Sequence, residues 1–375
     1  METVVYDSYY SVGGDQFANV FQALDHANHT KKFCYFNIHK DWINALEQTY
    51  SVPKPNRKTL QVLYLKKLKQ LRQNHNKLVL AYSGGTDSHT ILKIAIDNDI
   101  YFDEVIIEYP GVMEAANDQI INAEQIMALE FVNKHIGKSI GKVTVIKWNE
   151  KDYEYLNHAG WYKNPKFYQH NKIKVRPCVK VYMSKHYNDL DGVIITGHEK
   201  PGVRFKNNRF YWFVTDTGTT EHKIIRNAFP FFLDPEIVVS YAYVLRDQLK
   251  GKLNYFTQIG DRYDFFWKIP LAKTKKFYES LGLEFINHES VKFTQKPNWG
   301  THHNYKNKGI IDSLEKYGHK QILDKIFYLH EHINNEYKNT NHAVQSDGTF
   351  VKTVERYSQM FEFVENGLIC RGHDV

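Results

Sequence analysis

Apolar residues fall along this chain in short runs closed by turn residues, with longer amphipathic stretches between them. Four runs, Lys77 to Tyr82 (KLVLAY), Phe102 to Tyr109 (FDEVIIEY), Lys142 to Trp148 (KVTVIKW) and Gly192 to Thr196 (GVIIT), read as strands of a buried parallel sheet. After the first run comes SHTILKIAIDN, and after the second a stretch in which Ile126, Leu129, Val132 and Ile136 recur at spacings of three and four. Each predicts a helix whose apolar stripe faces the sheet. Pro177 to Tyr187 predicts another helix, since proline is tolerated in a first turn. Strand alternating with helix is the pattern of an α/β fold with a doubly wound parallel sheet. It bounds a core domain at residues 76–205.

The flanks read differently. Residues 1–75 form an N-terminal extension whose last part, KTLQVLYLKKLKQLRQ, places Leu60, Leu63, Tyr64, Leu68 and Leu71 on one stripe. This predicts an amphipathic helix docked on the sheet, with Lys66, Lys67, Lys69 and Arg72 in solvent or, in the alternative, on a nucleic-acid face. Residues 206–375 read as a mostly helical C-terminal region carrying the acceptor specificity. A hairpin built on Arg209 to Thr215 (RFYWFVT) is expected to act as a lid. Asp234 to Arg246 and Ile310 to Ile333 have helical spacing, and Asp234, Pro235 and Glu236 make a sound helix N-terminus.

Composition narrows the class. With 375 residues, 42% hydrophobic and 24% charged, the chain is long enough to bury a sizeable core and is ordinary for a folded protein. Cys34, Cys178 and Cys370 are too few and too scattered for a disulfide framework or a CxxC metal site. No stretch reaches the roughly 18 apolar residues of a membrane span. The beginning METVVYDSYY lacks a leader pattern, so a cytoplasmic setting without a membrane is expected. His302-His303 and His330 with His332 have no convincing metal spacing. The net charge of +7 suits an anionic partner without choosing between a nucleotide and a nucleic acid.

The chemistry concentrates in Ser83-Gly84-Gly85-Thr86-Asp87-Ser88, placed directly after an apolar strand and before a helix. Glycines there permit positive φ and close backbone approach to an anion, while the helix start adds unpaired N–H donors and a positive dipole end. The hydroxyls of Ser83 and Ser88 can donate to phosphate oxygens. A carboxylate beside a polyphosphate, Asp87, makes sense with a cation between them, and oxygen ligation favours Mg²⁺.

This hexapeptide resembles the SGGxDS signature of the PP-loop ATP pyrophosphatases, within the adenine nucleotide alpha hydrolase-like superfamily. That family includes asparagine synthetase, GMP synthetase and tRNA lysidine synthetase, with the PAPS reductases related. Neither a Walker A loop nor a GxGxxG fingerprint is present. The resemblance covers residues 76–205 and is specific around the loop. It implies a HUP/Rossmann-like PP-loop domain binding ATP and Mg²⁺. Ser83, Gly84, Gly85, Thr86, Asp87 and Ser88 would cradle the phosphates, with Asp87 the metal ligand. Ile107 and Glu108 would lie near the adenine, largely through backbone, and Gly197 would face the nucleotide. Arg176 and Lys180, in RPCVK, are expected near the ligand, and Asp87, Lys200, Arg204 and His198 in the catalytic group. The implied reaction is attack by an acceptor oxygen on the α-phosphorus of ATP. Pyrophosphate leaves, and the adenylated acceptor then meets an amine, ammonia or a sulfur donor.

The departures matter. Met1-Glu2-Thr3 lacks the N-terminal cysteine of class II amidotransferases, and no CxxC pair matches the iron-sulfur tRNA thiolases. A competing reading is a PAPS reductase-like protein using Cys370, since Cys370-Arg371-Gly372-His373 partly resembles the ECGxH tail motif. A third is a nucleic-acid-associated protein that keeps an ATP site, with RFKNNRFYWF mixing basic and aromatic residues. The acceptor is either a small molecule or a nucleic acid.

Overall fold

The computed structural model describes residues 8–18, 20–112, 119–148, 168–169, 172–173, 187, 191–197, 202–206, 209–214, 227–250, 291, 354–355 and 358–373. At its centre is a five-stranded parallel sheet, the frame of a Rossmann-like α/β fold. Its strands are β4 (Lys77–Ala81), β5 (Phe102–Val112), β6 (Ile140–Trp148), β9 (Gly192–Thr196) and β12 (Ala228–Pro230), in the order β12-β9-β4-β5-β6. The four expected strands are all present. Strand β5 runs past Tyr109 to Val112, and β6 starts two residues earlier than its apolar run. The fifth strand was not expected: Ala228–Pro230, from the presumed C-terminal region, pairs with Ile194 to Thr196. Three residues are too short to show a strand pattern in sequence.

Helices α4 (Thr86–Asp97) and α5 (Gln119–Asn133) follow β4 and β5. They touch through His89 and Phe131, whose rings meet edge to face at 4.8 Å. On the predicted α5 stripe Val132 is fully buried and Ile126 and Leu129 are half-buried against the core, but Ile136 is exposed; Ala128, outside that stripe, is fully buried. The helix ends at Asn133, and Ile136 stands beyond it in a turn that bridges to Ile140. The helix predicted over Pro177 to Tyr187 and the one over Ile310 to Ile333 lie outside the described residues, apart from Tyr187.

The N-terminal part holds more than one helix. Strands β1 (Ser8–Val12), β2 (Asp15–Phe17) and β3 (Cys34–Ile38) form a sheet with β13 (Val354–Glu355), in the order β13-β3-β1-β2. Helices α1 (Val20–Thr30) and α2 (Lys40–Gln48) flank β3 in sequence. Helix α3 (Arg57–Asn74) is the predicted amphipathic helix; Leu60, Leu63, Tyr64, Leu68 and Leu71 are all buried. Asn56 starts it with a capping box, taking the Thr59 N–H while Thr59 Oγ1 takes the Asn56 N–H.

Lys69 of α3 is exposed as expected, but Lys66, Lys67 and Arg72 are held in ion pairs, which corrects part of the expectation. Lys67, half-buried, meets Asp234 Oδ2 through Nζ at 2.8 Å, Lys66 Nζ meets Glu236 Oε1 at 2.7 Å, and Arg72 meets Asp103 at 2.6 Å. Both acidic partners of the lysines start α6 (Pro235–Lys250), where Asp234 Oδ1 also accepts the N–H groups of Glu236 and Ile237. The anticipated helix N-terminus is therefore real, and the same residue ties it to α3.

Strands β10 (Gly202–Lys206) and β11 (Arg209–Phe213) make the expected hairpin. It does not stand alone: β14 (Met360–Phe363) and β15 (Leu368–Gly372) extend it into an antiparallel sheet, β10-β11-β14-β15. Val203, Trp212, Phe213 and Phe361 are buried there. A small ribbon, β7 (Tyr168–Gln169) with β8 (Lys172–Ile173), completes the described strands.

Candidate functional site

The site is set by strand order. From β4 the chain proceeds outward through β5 and β6 on one side, then returns to place β9 and β12 on the other. All five strands are parallel, so their carboxyl ends share one edge, and the crevice between β4 and β9 is a topological switch point. Open α/β sheets bind ligands there.

The candidate loop fills that crevice. Leu78, Val79 and Leu80 drive β4 into the core, and Tyr82 N–H still donates to Ile106 O at 2.8 Å before the chain turns. Gly84 then takes φ +71°, and Gly85 precedes the first turn of α4 in extended conformation. A Cβ on Gly84 would lie 2.9 Å from Ala128 Cβ and 3.0 Å from Val291 Cγ2, so both conformation and space demand glycine. Ser83 and Ser88 face one another across the turn, with Oγ atoms 3.3 Å apart, and the Ser83 N–H donates to Ser88 Oγ at 3.2 Å. Gly85 N–H approaches Ser83 Oγ at 3.3 Å. Two hydroxyls and the first N–H groups of a twelve-residue helix thus converge on one small turn.

Gly197, at the end of β9, meets the other side of this turn. A Cβ there would lie 2.8 Å from Ser88 N and 3.0 Å from Ser88 Cα. Its close approach is to the α4 backbone, which seals β9 against the loop. Thr86 begins α4 with a buried side chain whose Oγ1 has no hydrogen-bond partner among the described residues.

Asp87 occupies the first turn of α4, with Oδ1 out of contact with solvent. Its charge is felt by two fully buried phenols, Tyr64 from α3 and Tyr241 from α6. Burial pushes Tyr64 well up from the ordinary tyrosine value, with Tyr241 and then Asp87 adding to it; burial and then Asp87 push Tyr241 up. Helices α3 and α6 thus each contribute a buried phenol that feels the loop carboxylate. On the opposite flank, Tyr82 OH and His89 Nδ1 form a buried hydrogen bond of 2.9 Å.

Ile107 is fully buried, so only its backbone can face a ligand, while Glu108 is half-buried beside it. Tyr109 is buried and lies under Lys147, whose Nζ sits 5.6 Å from the ring centroid. Arg204 is on β10 opposite Tyr211, with its Nε buried. The structure thus brings together Ser83 to Ser88 and Gly197. Arg176, Lys180, His198 and Lys200 lie outside the described residues.

Five residues around the loop escaped sequence reasoning. Val291 N–H donates to Gly84 O at 3.2 Å from 207 positions away, which no local pattern signals. Tyr241 and Tyr64 were legible only as members of apolar stripes. Gln125 and Ala128 were hidden in α5, where the larger aliphatics carried the periodicity.

The competing chemistry fares differently. Cys370 sits within β15 opposite Phe361, and its N–H donates to Glu47 Oε1 at 2.7 Å. Burial pushes its thiol up, with Glu47 adding to this and a Gly372 backbone hydrogen bond opposing it, the reverse of what a nucleophilic cysteine needs. Among the described residues no His, Cys, Asp and Glu cluster could hold a metal, and no helix is long and apolar enough to cross a membrane. No protein-family model matches the chain, and no curated protein matches it.

Proposed function

We propose that this chain is a PP-loop ATP pyrophosphatase of doubly wound, HUP-like topology. It binds ATP with Mg²⁺ in the crevice between β4 and β9 and adenylates an acceptor with release of pyrophosphate. One observation carries the reading: the Ser83–Ser88 turn, with left-handed Gly84 and the start of α4, stands at the topological switch point of a parallel sheet.

The roles follow from the groups present. Thr86 and the first N–H groups of α4 face the phosphates, with the helix dipole favouring their charge. Ser83 and Ser88 hydroxyls, already within 3.3 Å of each other, exchange that contact for phosphate oxygens. Asp87, Ser83 and Ser88 form an all-oxygen donor set of the kind Mg²⁺ takes, and Asp87 would hold the ion, which when bound offsets charge on the departing pyrophosphate. Arg204, together with Lys200 and Arg176, is assigned the remaining phosphate charge, Lys180 the ligand rim, and His198 proton transfer. Ile107 and Glu108 present backbone to the nucleoside. The acceptor is a carboxylate, carbonyl or amide on a small molecule or nucleic acid. Positioning and charge stabilisation supply most of the catalysis.

The test is a pyrophosphate-release screen with ATP and Mg²⁺ against amino acids, nucleobases, DNA and tRNA, with Asp87→Ala as the blank. Release that depends on one acceptor class and vanishes in the variant is the expected result. No release with any acceptor would overturn the reading.

A further inference from the structure

Helix α5 carries a polar residue where the fold asks for an apolar one. Gln125, Ala128 and Val132 form its buried stripe at helical spacing, and Gln125 is only 7% exposed. Its Oε1 is fully buried with no hydrogen-bond partner among the described residues. A buried amide oxygen without a donor is unfavourable, and such groups in folded proteins are nearly always met by something.

The helix geometry says where this oxygen points. Ala128 touches the loop at Gly84. Helix α5 leaves β5 at the carboxyl edge of the sheet and descends toward the start of β6. Gln125, three residues before Ala128, therefore lies about 4.5 Å nearer the ligand edge. Helical side chains also lean toward the helix N-terminus, which carries the carboxamide further the same way. It stands on the β4–β5 side of the loop, away from the β9 seal made by Gly197.

An acceptor in this place needs a donor. Phosphate oxygens only accept, and they are served by the N–H groups of the loop. A carboxamide offers an acceptor and a donor side by side, which matches the amino group and ring nitrogen on one edge of adenine. We propose that Gln125 reads the nucleobase of the bound nucleotide, with Oε1 accepting from the 6-amino group of adenine and Nε2 donating to a ring nitrogen. This rests on the ATP-binding reading above and extends it from the phosphates to the base.

The full-length protein tests this by calorimetric titration with ATP, with purine riboside triphosphate (hydrogen replaces the 6-amino group) and with 2′-deoxy-ATP. Wild type should bind ATP at least about tenfold more tightly than the purine analogue, because the analogue leaves the buried oxygen unmet. Gln125→Leu, close in size, should weaken ATP and abolish the difference between the two. Equal binding of ATP and the analogue by wild type overturns the proposal, whatever becomes of the variant. So does a difference that survives in a folded Gln125→Leu protein. A penalty confined to 2′-deoxy-ATP that disappears in the variant would move the contact to the ribose and overturn it as well. Failure of wild type to bind any of the three nucleotides would instead remove the ATP reading itself.

Discussion

Gly84 shows how narrowly a single residue can be specified. Its φ of +71° costs an L-residue about 1 kcal/mol or more, and any Cβ collides with Ala128 and Val291. Gly84→Ala is expected to lose about 2–3 kcal/mol in urea denaturation and to lose ATP binding by calorimetry. The two buried phenols that feel the Asp87 charge make a pH prediction. Their folded values are raised, so the folded state keeps its protons after the unfolded chain begins to ionise near pH 10. Their contribution is complete below that pH and falls as pH rises, by about 1.4 kcal/mol per unit for each tyrosine. Stability measured from pH 9 to 11.5 should decline less steeply in a Tyr64→Phe, Tyr241→Phe protein than in wild type. Cys370→Ser should retain pyrophosphate release, and the native thiol should react with a disulfide reagent at pH 7 more slowly than free cysteine.

Among the elements, α3 was legible because eighteen residues display their apolar stripe several times over. The ion pairs on its charged face were missed for a tertiary reason. Lysines in a sequence carry no mark of their partners, and Asp234 and Glu236 lie some 170 positions away. Asp234 serves two ends at once, capping α6 through Oδ1 and holding Lys67 through Oδ2. Asp234→Ala should therefore cost about 2 kcal/mol in denaturant titration, combining a lost cap with a half-buried lysine left without its partner. Asp234→Asn, which keeps an acceptor for the cap, should cost less. In α5 the end was misjudged because Ile136 continued the spacing, although the chain had already turned toward β6.

The whole molecule is held by contacts between its distant ends. Gln359 Oε1 accepts from Ile38 N–H across 321 positions, Ser51 N–H donates to Asn366 O, and Tyr243 OH bonds Gly367 O. His373 reaches Asn37 at 3.0 Å and packs its ring at a tilt against Tyr35. Strands β14 and β15 are thereby structural members of the sheet containing Arg204. A chain cut after residue 357 is expected to give a lower melting temperature and faster proteolysis, even though the Ser83–Ser88 turn is untouched.

The sequence by itself determined what is local or repeated: the apolar parallel strands, the long amphipathic helices, the start of α6 and the glycine-hydroxyl turn. Those signals survive because strand and helix periodicity and turn chemistry act over a few residues. Tertiary structure alone decided the rest. It brought a three-residue fifth strand to β9, seated Val291 on Gly84, buried two phenols within the electrostatic reach of Asp87 and closed the hairpin sheet with the C-terminal strands. Each joins residues far apart in the chain, where the free energy comes from burial and pairing that exist only after the chain has folded.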